Sequence, residues 1–583
     1  MDSQRDKTTE GASRTVEKTH IDGTVDYVSA DVLGGEVTEM PAGYFRSAQF
    51  TGTVVATCTG SICAYLSWVM PANTLSLINA DLGPSPDIGW VGTAYLLGNS
   101  IGFLLYYRLR LGRRRPSVGA LIAATLLNGF AAAGQLSHQV VLGELVPNRL
   151  RGPIVTVVFL SSLPFAVFGP AIARLFILNT SPAPGSTGST SRVGGWRWSF
   201  YLGIIFSVVT VALYAVFYHP PRYEQLHVRG RTKWAQVRAL DFGGLFLFCA
   251  GTTLFLVGLS WGGTAYPWRS APVLGTLVVG IVTLIAFGFY EQYVATRANH
   301  GGAIMPPRIF RNVEYVAVVM IATLSSLIYF SMTVLWPTLV ENVFGASVLA
   351  VGWQSSVVGG GVLLGQCLSG LSISYVPRVK LQTIVASVCA AACIASLAGV
   401  IGPGASSSHT GVIVLGIFAT VAVGFNENIA FPGVTLLFDA CDIGLAVGAL
   451  ASIRSMGGAV AQALYSSVLN TRLAENLESD VGPAAVRAGL PESSLPALFA
   501  AIKLGDYSEV PGATGGVLHV VVAGVRDSYV ASFKVVFYAT IPFGFLLVLF
   551  ACLVPDMEKY LTGNVARRLQ GKDMEKGSTT TSE

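Results

Sequence analysis

The sequence predicts an all-α, polytopic membrane protein. Three observations carry that prediction: the chain is poor in charge, its apolar residues gather into runs long enough to cross a bilayer, and its basic residues cluster in alternate connections between those runs. Of 583 residues only 12% are Asp, Glu, Lys or Arg, half the roughly 25% of a soluble domain, and over residues 51–555 the share falls to about 9%. Apolar residues make up 52% before 65 glycines are counted, and the mean hydropathy is +0.59. Such a chain lacks the polar residues for a water-facing surface, which excludes a soluble enzyme. The net charge of +5 is spread over short clusters, so it leaves no nucleic-acid footprint.

Taken in order, residues 1–46 are polar and mixed in sign and read as a disordered cytosolic tail; without a cleavable leader pattern, the first apolar run is the expected signal anchor. A spanning helix needs about 20 mostly apolar residues. That template selects thirteen runs: 52–77, 88–107, 118–142, 153–177, 197–218, 241–260, 271–291, 314–337, 347–370, 381–401, 411–437, 443–467 and 533–554. The expected organisation is an N-terminal transmembrane half over 47–220, a cytosolic linker with two extra spans over 221–293, a C-terminal half over 294–557 with an external loop at 471–531, and a cytosolic tail over 558–583. The amphipathic stretch 495–510 within that loop reads as a tolerated insertion or a cap on the external vestibule.

Connections sort by charge. Arg108 to Arg115, Arg149/Arg151, Arg222 to Arg238, Arg297/Arg308/Arg311, Arg378/Lys380 and Lys559/Arg567/Arg568 mark the cytosolic side, while 81–87, 179–195, 260–268 and 403–410 are poor in basic residues and face outside. Asn179 opens an Asn-Thr-Ser glycosylation sequon in one of the external connections. One inconsistency emerges: Arg108–Arg115 and Asn148–Gly152 both belong inside, yet residues 117–147 suffice for one crossing only. Either a span is missing, or the 118–142 helix is re-entrant, or one loop breaks the charge rule.

Polar residues at mid-depth are the candidates for chemistry, because a charge there costs about 2.5–3.5 kcal/mol unless it faces a cavity or a partner. Glu427 lies twelve residues before the turn at Asp439–Asp442 and Arg454 twelve after it, so the two reach the same depth on consecutive antiparallel helices. They are the expected ion pair, either coupling to protons or merely orienting two helices. Asn426, Asn428, Gln135 and Arg174 are further candidates to line a substrate path, with helix packing as the alternative for the asparagines and snorkelling for Arg174. His138 reads as a packed or pore-edge residue. The seven histidines show no metal-ligand spacing, and the eight cysteines read as small apolar residues. Gly359 to Gly370 lacks the Lys-Ser/Thr of a phosphate loop and reads as a helix-packing stripe, so no ATP site and no cofactor are expected.

The landmarks SWVMPANTLSLINADLGPSPDIGWVGTAYLLGNS (67–100), GELVPNRLRG (143–152), GGWRWSFYLGI (194–204), FYHPPRYEQLH (217–227), IMPPRIFRN (304–312) and IGLAVGALASIRSMGGAVAQALY (443–465) resemble the major facilitator superfamily in its fourteen-span drug:proton antiporter branch, closest to the fungal trichothecene efflux pumps and their siderophore-transporter relatives. The resemblance covers about residues 45–560 and implies a major facilitator fold in which the third span is absent here. After span two the family's loop resembles G-x-x-x-D-x-x-G-R-R; Gly112, Arg113 and Arg114 match it, but its acidic residue is missing, and the break falls between Tyr107 and Gly119. A gene-model error or skipped exon is the leading explanation, ahead of a real deletion. Gly169 and Pro170 match the core of the antiporter motif without its later glycines. The resemblance implies a plasma-membrane exporter of a small amphipathic toxin or drug-like metabolite, driven by protons. Its alternatives are a siderophore-iron:proton symporter and, from another class, a degenerate non-transporting membrane protein or sensor. The expected partners are the substrate, protons and the lipid bilayer.

Overall fold

The computed structural model describes residues 15–19, 25–29, 33–36, 43–82, 88, 90–105, 118–136, 138–179, 195–219, 241–263, 266–297, 303–402, 408–439, 442–504, 510–512 and 515–567. The apolar runs fold as helices: α1 (Ala48–Ala72), α2 (Leu75–Leu82), α3 (Trp90–Leu105), α4 (Val118–Gln135), α5 (His138–Leu145), α6 (Arg151–Ser161), α7 (Leu163–Asn179), α8 (Arg197–Phe217), α9 (Phe242–Trp261), α10 (Ala271–Arg297), α11 (Val313–Phe344), α12 (Val348–Tyr375), α13 (Val379–Val400), α14 (His409–Leu437), α15 (Ile443–Asn476), α16 (Gly482–Arg487), α17 (Leu495–Leu504) and α18 (Gly515–Ala551). Among the described residues, 11 segments are long and apolar enough to span a membrane, with α6 and α7 forming one of them. The shorter α3 and α4 occupy the second and third places of the series. Side-chain oxygens of Ser47, Asp241, Asn312, Ser347 and Ser408 accept first-turn N–H groups and so begin α1, α9, α11, α12 and α14. Gly345, at φ 63°, ends α11.

Two expectations are corrected. The described parts of the tails are not disordered: β1 (Thr15–Thr19) pairs antiparallel with β2 (Val25–Ser29), and β3 (Leu33–Glu36) pairs with β4 (Asn564–Arg567). The first pair is rich in Val, Thr and Tyr, which favour strands, and the second joins a segment that precedes α1 to one that follows α18. The 471–531 connection is largely helical: α15 runs on to Asn476, α16 and α17 follow, and α18 begins at Gly515 rather than near 533. Val517, Val521 and Val525 at helical spacing pack with Leu477, Val481 and Leu498 into a small core of their own.

Contacts between neighbours fix the direction of each span. Cys63 meets Thr210 and Gly52 meets Phe217, so α8 runs against α1; Asn128 bonds the Ser67 carbonyl and Gly60 meets Gln135, so α4 also runs against α1. Gly152 packs on Gly370 and Gly352 on Ala171, which sets α6 and α7 against α12, while Cys58 beside Ser161 and Val69 beside Gly169 set them along α1. Gln354 bonds His409 and Gln366 bonds Asn428, so α12 and α14 are parallel, and α15 returns against α14. Finally, Ser100 bonds Ser452 and Gly92 meets Gln462, so α3 runs against α15. The spans from α6 to α18 therefore alternate in direction, and the start of α1 and the end of α18 lie at one end of the bundle, called end A. Among the described residues, the basic groups Arg149/Arg151, Arg308/Arg311, Arg378/Lys380 and Lys559/Arg567 lie at end A, the end that the positive-inside rule associates with the cytosol.

Only α3 and α4 break the alternation: both run from end B to end A. Their crossing repeats that of α12 and α14. Gly98 sits on the Leu126 carbonyl and Gly129 on that of Tyr95; Gly365 sits on the Val421 carbonyl and Gly424 on that of Val362. In each pair a glycine contacts the carbonyl three residues before its partner glycine, an approach that a Cβ would block. By this repeat α4 is the counterpart of α14, and the counterpart of α13 has no helix among the described residues. Residues 106–117, with Gly112, Arg113 and Arg114, lie outside the described residues. The flanking helices nevertheless require a link from end A to end B, about 24 Å along the 16-residue α3. Asn148–Gly152 lies at end A with the other described basic residues, and the Arg108–Arg115 cluster lies outside the described residues.

Candidate functional site

The two halves meet along two seams, α3 against α15 and α6–α7 against α12, and enclose a cavity between them. It contains about 680 Å³ of space free of protein atoms, including the part continuous with bulk. Tyr65 and Trp68 of α1, Tyr95 and Asn99 of α3, His138 and Gln139 of α5, and Phe159 of α6 form the N-terminal wall. Tyr329 and Phe330 of α11, Gln366 of α12, Glu427 and Phe431 of α14, and Arg454 of α15 form the other. The walls are mainly aromatic: Trp68 stacks on Tyr95 with centroids 4.9 Å apart and meets Phe330 edge-on at 5.6 Å.

Glu427 and Arg454 come together as a buried ion pair in the C-terminal wall, with Arg454 Nη2 donating to Glu427 Oε1. The guanidinium also lies 5.5 Å from the Phe330 ring centroid and 5.7 Å from that of Phe431. Glu427 Oε2 accepts from Gln366 Nε2 at 3.3 Å, and Gln366 Oε1 accepts from the Tyr65 hydroxyl at 3.2 Å. Four side chains on α1, α12, α14 and α15 thus form one polar chain across the cavity. Both carboxylate oxygens are occupied, as a buried charge requires.

The other candidates lie elsewhere. Asn426 donates to Ser387 on α13 at 3.0 Å and Asn428 to the Gln366 carbonyl at 2.7 Å; both face neighbouring helices, not the cavity. Each is one residue from Glu427, about 100° round the helix, so they turn to other helices and act as helix-joining groups. Gln135 ends α4 behind the cavity wall, where its carbonyl faces His138 Nδ1 at 3.4 Å, and it is His138 and Gln139 that line the cavity. Arg174 does not snorkel: it is fully buried and donates to the Asn73 carbonyl at 3.0 Å and the Val348 carbonyl at 3.4 Å, tying α7 to the end of α1 and the start of α12. The Asn73 carbonyl caps the C-terminal end of α1, whose partial negative charge suits the cation. Gly169 packs on Val69 and Met70 beside Pro170, inside α7. Asn179 is exposed at the end of α7, at end B. Sequence reasoning missed Tyr65, Gln366 and Arg151. The last is buried and donates to the Thr435 carbonyl, tying α6 to α14 at end A as Arg174 ties α7 to α1 and α12 at end B.

Residues 16–581 match the sequence profile of the fungal trichothecene efflux pump (TRI12) family. The chain belongs to that family. It is 28% identical over 573 residues to a trichothecene efflux pump of Fusarium sporotrichioides, covering 93% of this chain and 92% of that one. A trichothecene efflux pump of Trichoderma arundinaceum is 26% identical over 578 residues, with 93% and 92% covered, and an MFS-type transporter of Penicillium rubens is 26% identical over 456 residues, with 76% and 78% covered. Among solved structures, the proton:xylose symporter XylE bound to 6-bromo-6-deoxy-D-glucose is similar over 90% of this chain and 99% of that one, at 15% identity and a TM-score of 0.49. The family member described here is thus a multi-pass membrane transporter of the major facilitator superfamily.

Proposed function

We propose that the protein exports a small, amphipathic, ring-containing molecule across the plasma membrane in exchange for protons. The observation that carries this reading is the Glu427–Arg454 pair in the cavity wall. A proton on Glu427 releases Arg454 and changes the charge that the cavity presents, and the aromatic walls suit an apolar ligand body. The family relatives named for trichothecene efflux support a toxin of that class as substrate. A proton gradient is a sufficient drive, since one charge crossing 100 mV is worth about 2.3 kcal/mol.

The test is a toxin-sensitivity assay in a host that lacks its own exporters. The full-length protein is expected to restore growth on a trichothecene, more strongly in acidic medium, and Glu427→Gln is expected to abolish that dependence on external pH. Growth restored equally by both forms at every pH would remove Glu427 from coupling. Improved growth on chelated iron in place of toxin resistance would favour siderophore import. A second reading, a non-transporting membrane protein, draws on the parallel course of α3 and α4, which leaves the N-terminal half one crossing short.

A further inference from the structure

We propose that Gln366 and Tyr65 convert the protonation state of Glu427 into the hydrogen-bonding polarity that the cavity shows its ligand, so that an exported molecule must offer Tyr65 a hydrogen-bond donor such as a hydroxyl. This rests on the reading of Glu427 as the proton carrier. Gln366 is buried, and its amide is engaged at both ends: nitrogen to Glu427 Oε2 at 3.3 Å, oxygen from the Tyr65 hydroxyl at 3.2 Å. Its main-chain carbonyl is held by Asn428 at 2.7 Å, which leaves rotation of the amide plane as the motion open to it. The charged and titratable groups around Glu427 are Arg454 on α15, Tyr65 on α1, Tyr95 on α3, Tyr329 on α11 and His138 on α5. Arg454 occupies Oε1, so a proton from cavity water settles on Oε2.

The consequences follow from donor and acceptor inventories. An ionised Glu427 only accepts; the amide N–H groups face it, the amide oxygen takes the Tyr65 proton, and Tyr65 has only lone pairs left for the cavity. A protonated Oε2 donates. The amide must then turn by about 180° to present its oxygen to Oε2–H and its nitrogen to Tyr65, whose hydroxyl now accepts from Gln366 and is free to donate into the cavity. A ligand that donates to Tyr65 therefore fits the ionised state and is opposed by the protonated one. That is the sign an exchanger needs. A ligand with acceptors only fits the protonated state, and its binding rises with the proton. A mismatched buried donor is expected to lower affinity by about tenfold or more. Gln366 and Tyr65 act here as positioning and specificity residues.

The experiment uses the full chain in proteoliposomes with an imposed pH gradient, and as probes a hydroxyl-bearing trichothecene and its fully O-acetylated derivative. The gradient is expected to accelerate transport of the hydroxyl compound about tenfold more than that of the acetylated one, and Tyr65→Phe and Gln366→Leu are each expected to erase the difference. Equal acceleration of both probes by the unaltered protein, or discrimination that survives both substitutions, overturns the relay and leaves proton exchange standing. Transport of neither probe responding to the gradient overturns proton exchange and the relay with it. A second measurement needs no variant. In infrared difference spectra between high and low pH, the carboxyl band of protonated Glu427 is expected to appear together with a shifted glutamine side-chain carbonyl band; the first without the second overturns the relay.

Discussion

Removing one member of the Glu427–Arg454 pair should cost more stability than removing both. In Glu427→Gln the Arg454 guanidinium stays buried at 7% exposure without its anion, while its Nε has no partner in the native protein either. Breaking a buried pair from one side costs about 3–5 kcal/mol. The Phe330 and Phe431 rings, 5.5 and 5.7 Å away, retain part of the cation's stabilisation, so the lower half of that range is expected. Arg454→Met leaves Glu427 with only its Gln366 contact and should cost a similar amount. The double substitution removes both charges, keeps similar volume, and should cost no more than about 1 kcal/mol, which makes the coupling energy, the two single costs less the double, about 5–8 kcal/mol. Graded unfolding of the four forms in detergent micelles measures it. Costs that add would show that the two groups do not share the buried pairing on which the site rests.

Other expectations test the surrounding frame. Asn426→Leu should cost about 0.6–1.7 kcal/mol of stability while leaving ligand affinity unchanged, because Asn426 joins α14 to α13; a drop in affinity by equilibrium binding would return it to the substrate path. Arg151→Met loses the bond to the Thr435 carbonyl. Thiol labelling from the cytosolic side of a cysteine placed at Phe159, in a cysteine-free background, should quicken about fivefold, and an unchanged rate would deny Arg151 a part in closing end A. Gly359→Val places a side chain against the Ala166 carbonyl where α12 meets α7 and should destabilise by about 1–3 kcal/mol in the same unfolding assay.

Much of the fold is legible in the sequence because a bilayer demands long apolar helices and sorts basic residues to one side. The helix positions and the equal depth of Glu427 and Arg454 follow from counting residues from a turn. Which neighbour a polar side chain faces does not. Asn426 and Asn428 flank Glu427 in sequence yet face other helices, and Arg174 is satisfied by two backbone carbonyls that no pattern announces. Gln366 lies within a glycine-rich run whose packing role is plain, but its contacts with Tyr65 and Glu427 depend on three helices distant in sequence. The helical 471–531 segment escapes a search for spans because its core is built from short amphipathic pieces.

A working transporter built around this cavity needs one further crossing between α3 and α4, which both run from end B to end A. Sequencing the messenger RNA across the codons for Arg115, Pro116 and Ser117 tests it most directly. An in-frame insert of about 60–75 nucleotides, enough for one helix of about 20 residues, is the expected result. A transcript continuous through those codons would contradict the claim and favour the non-transporting reading.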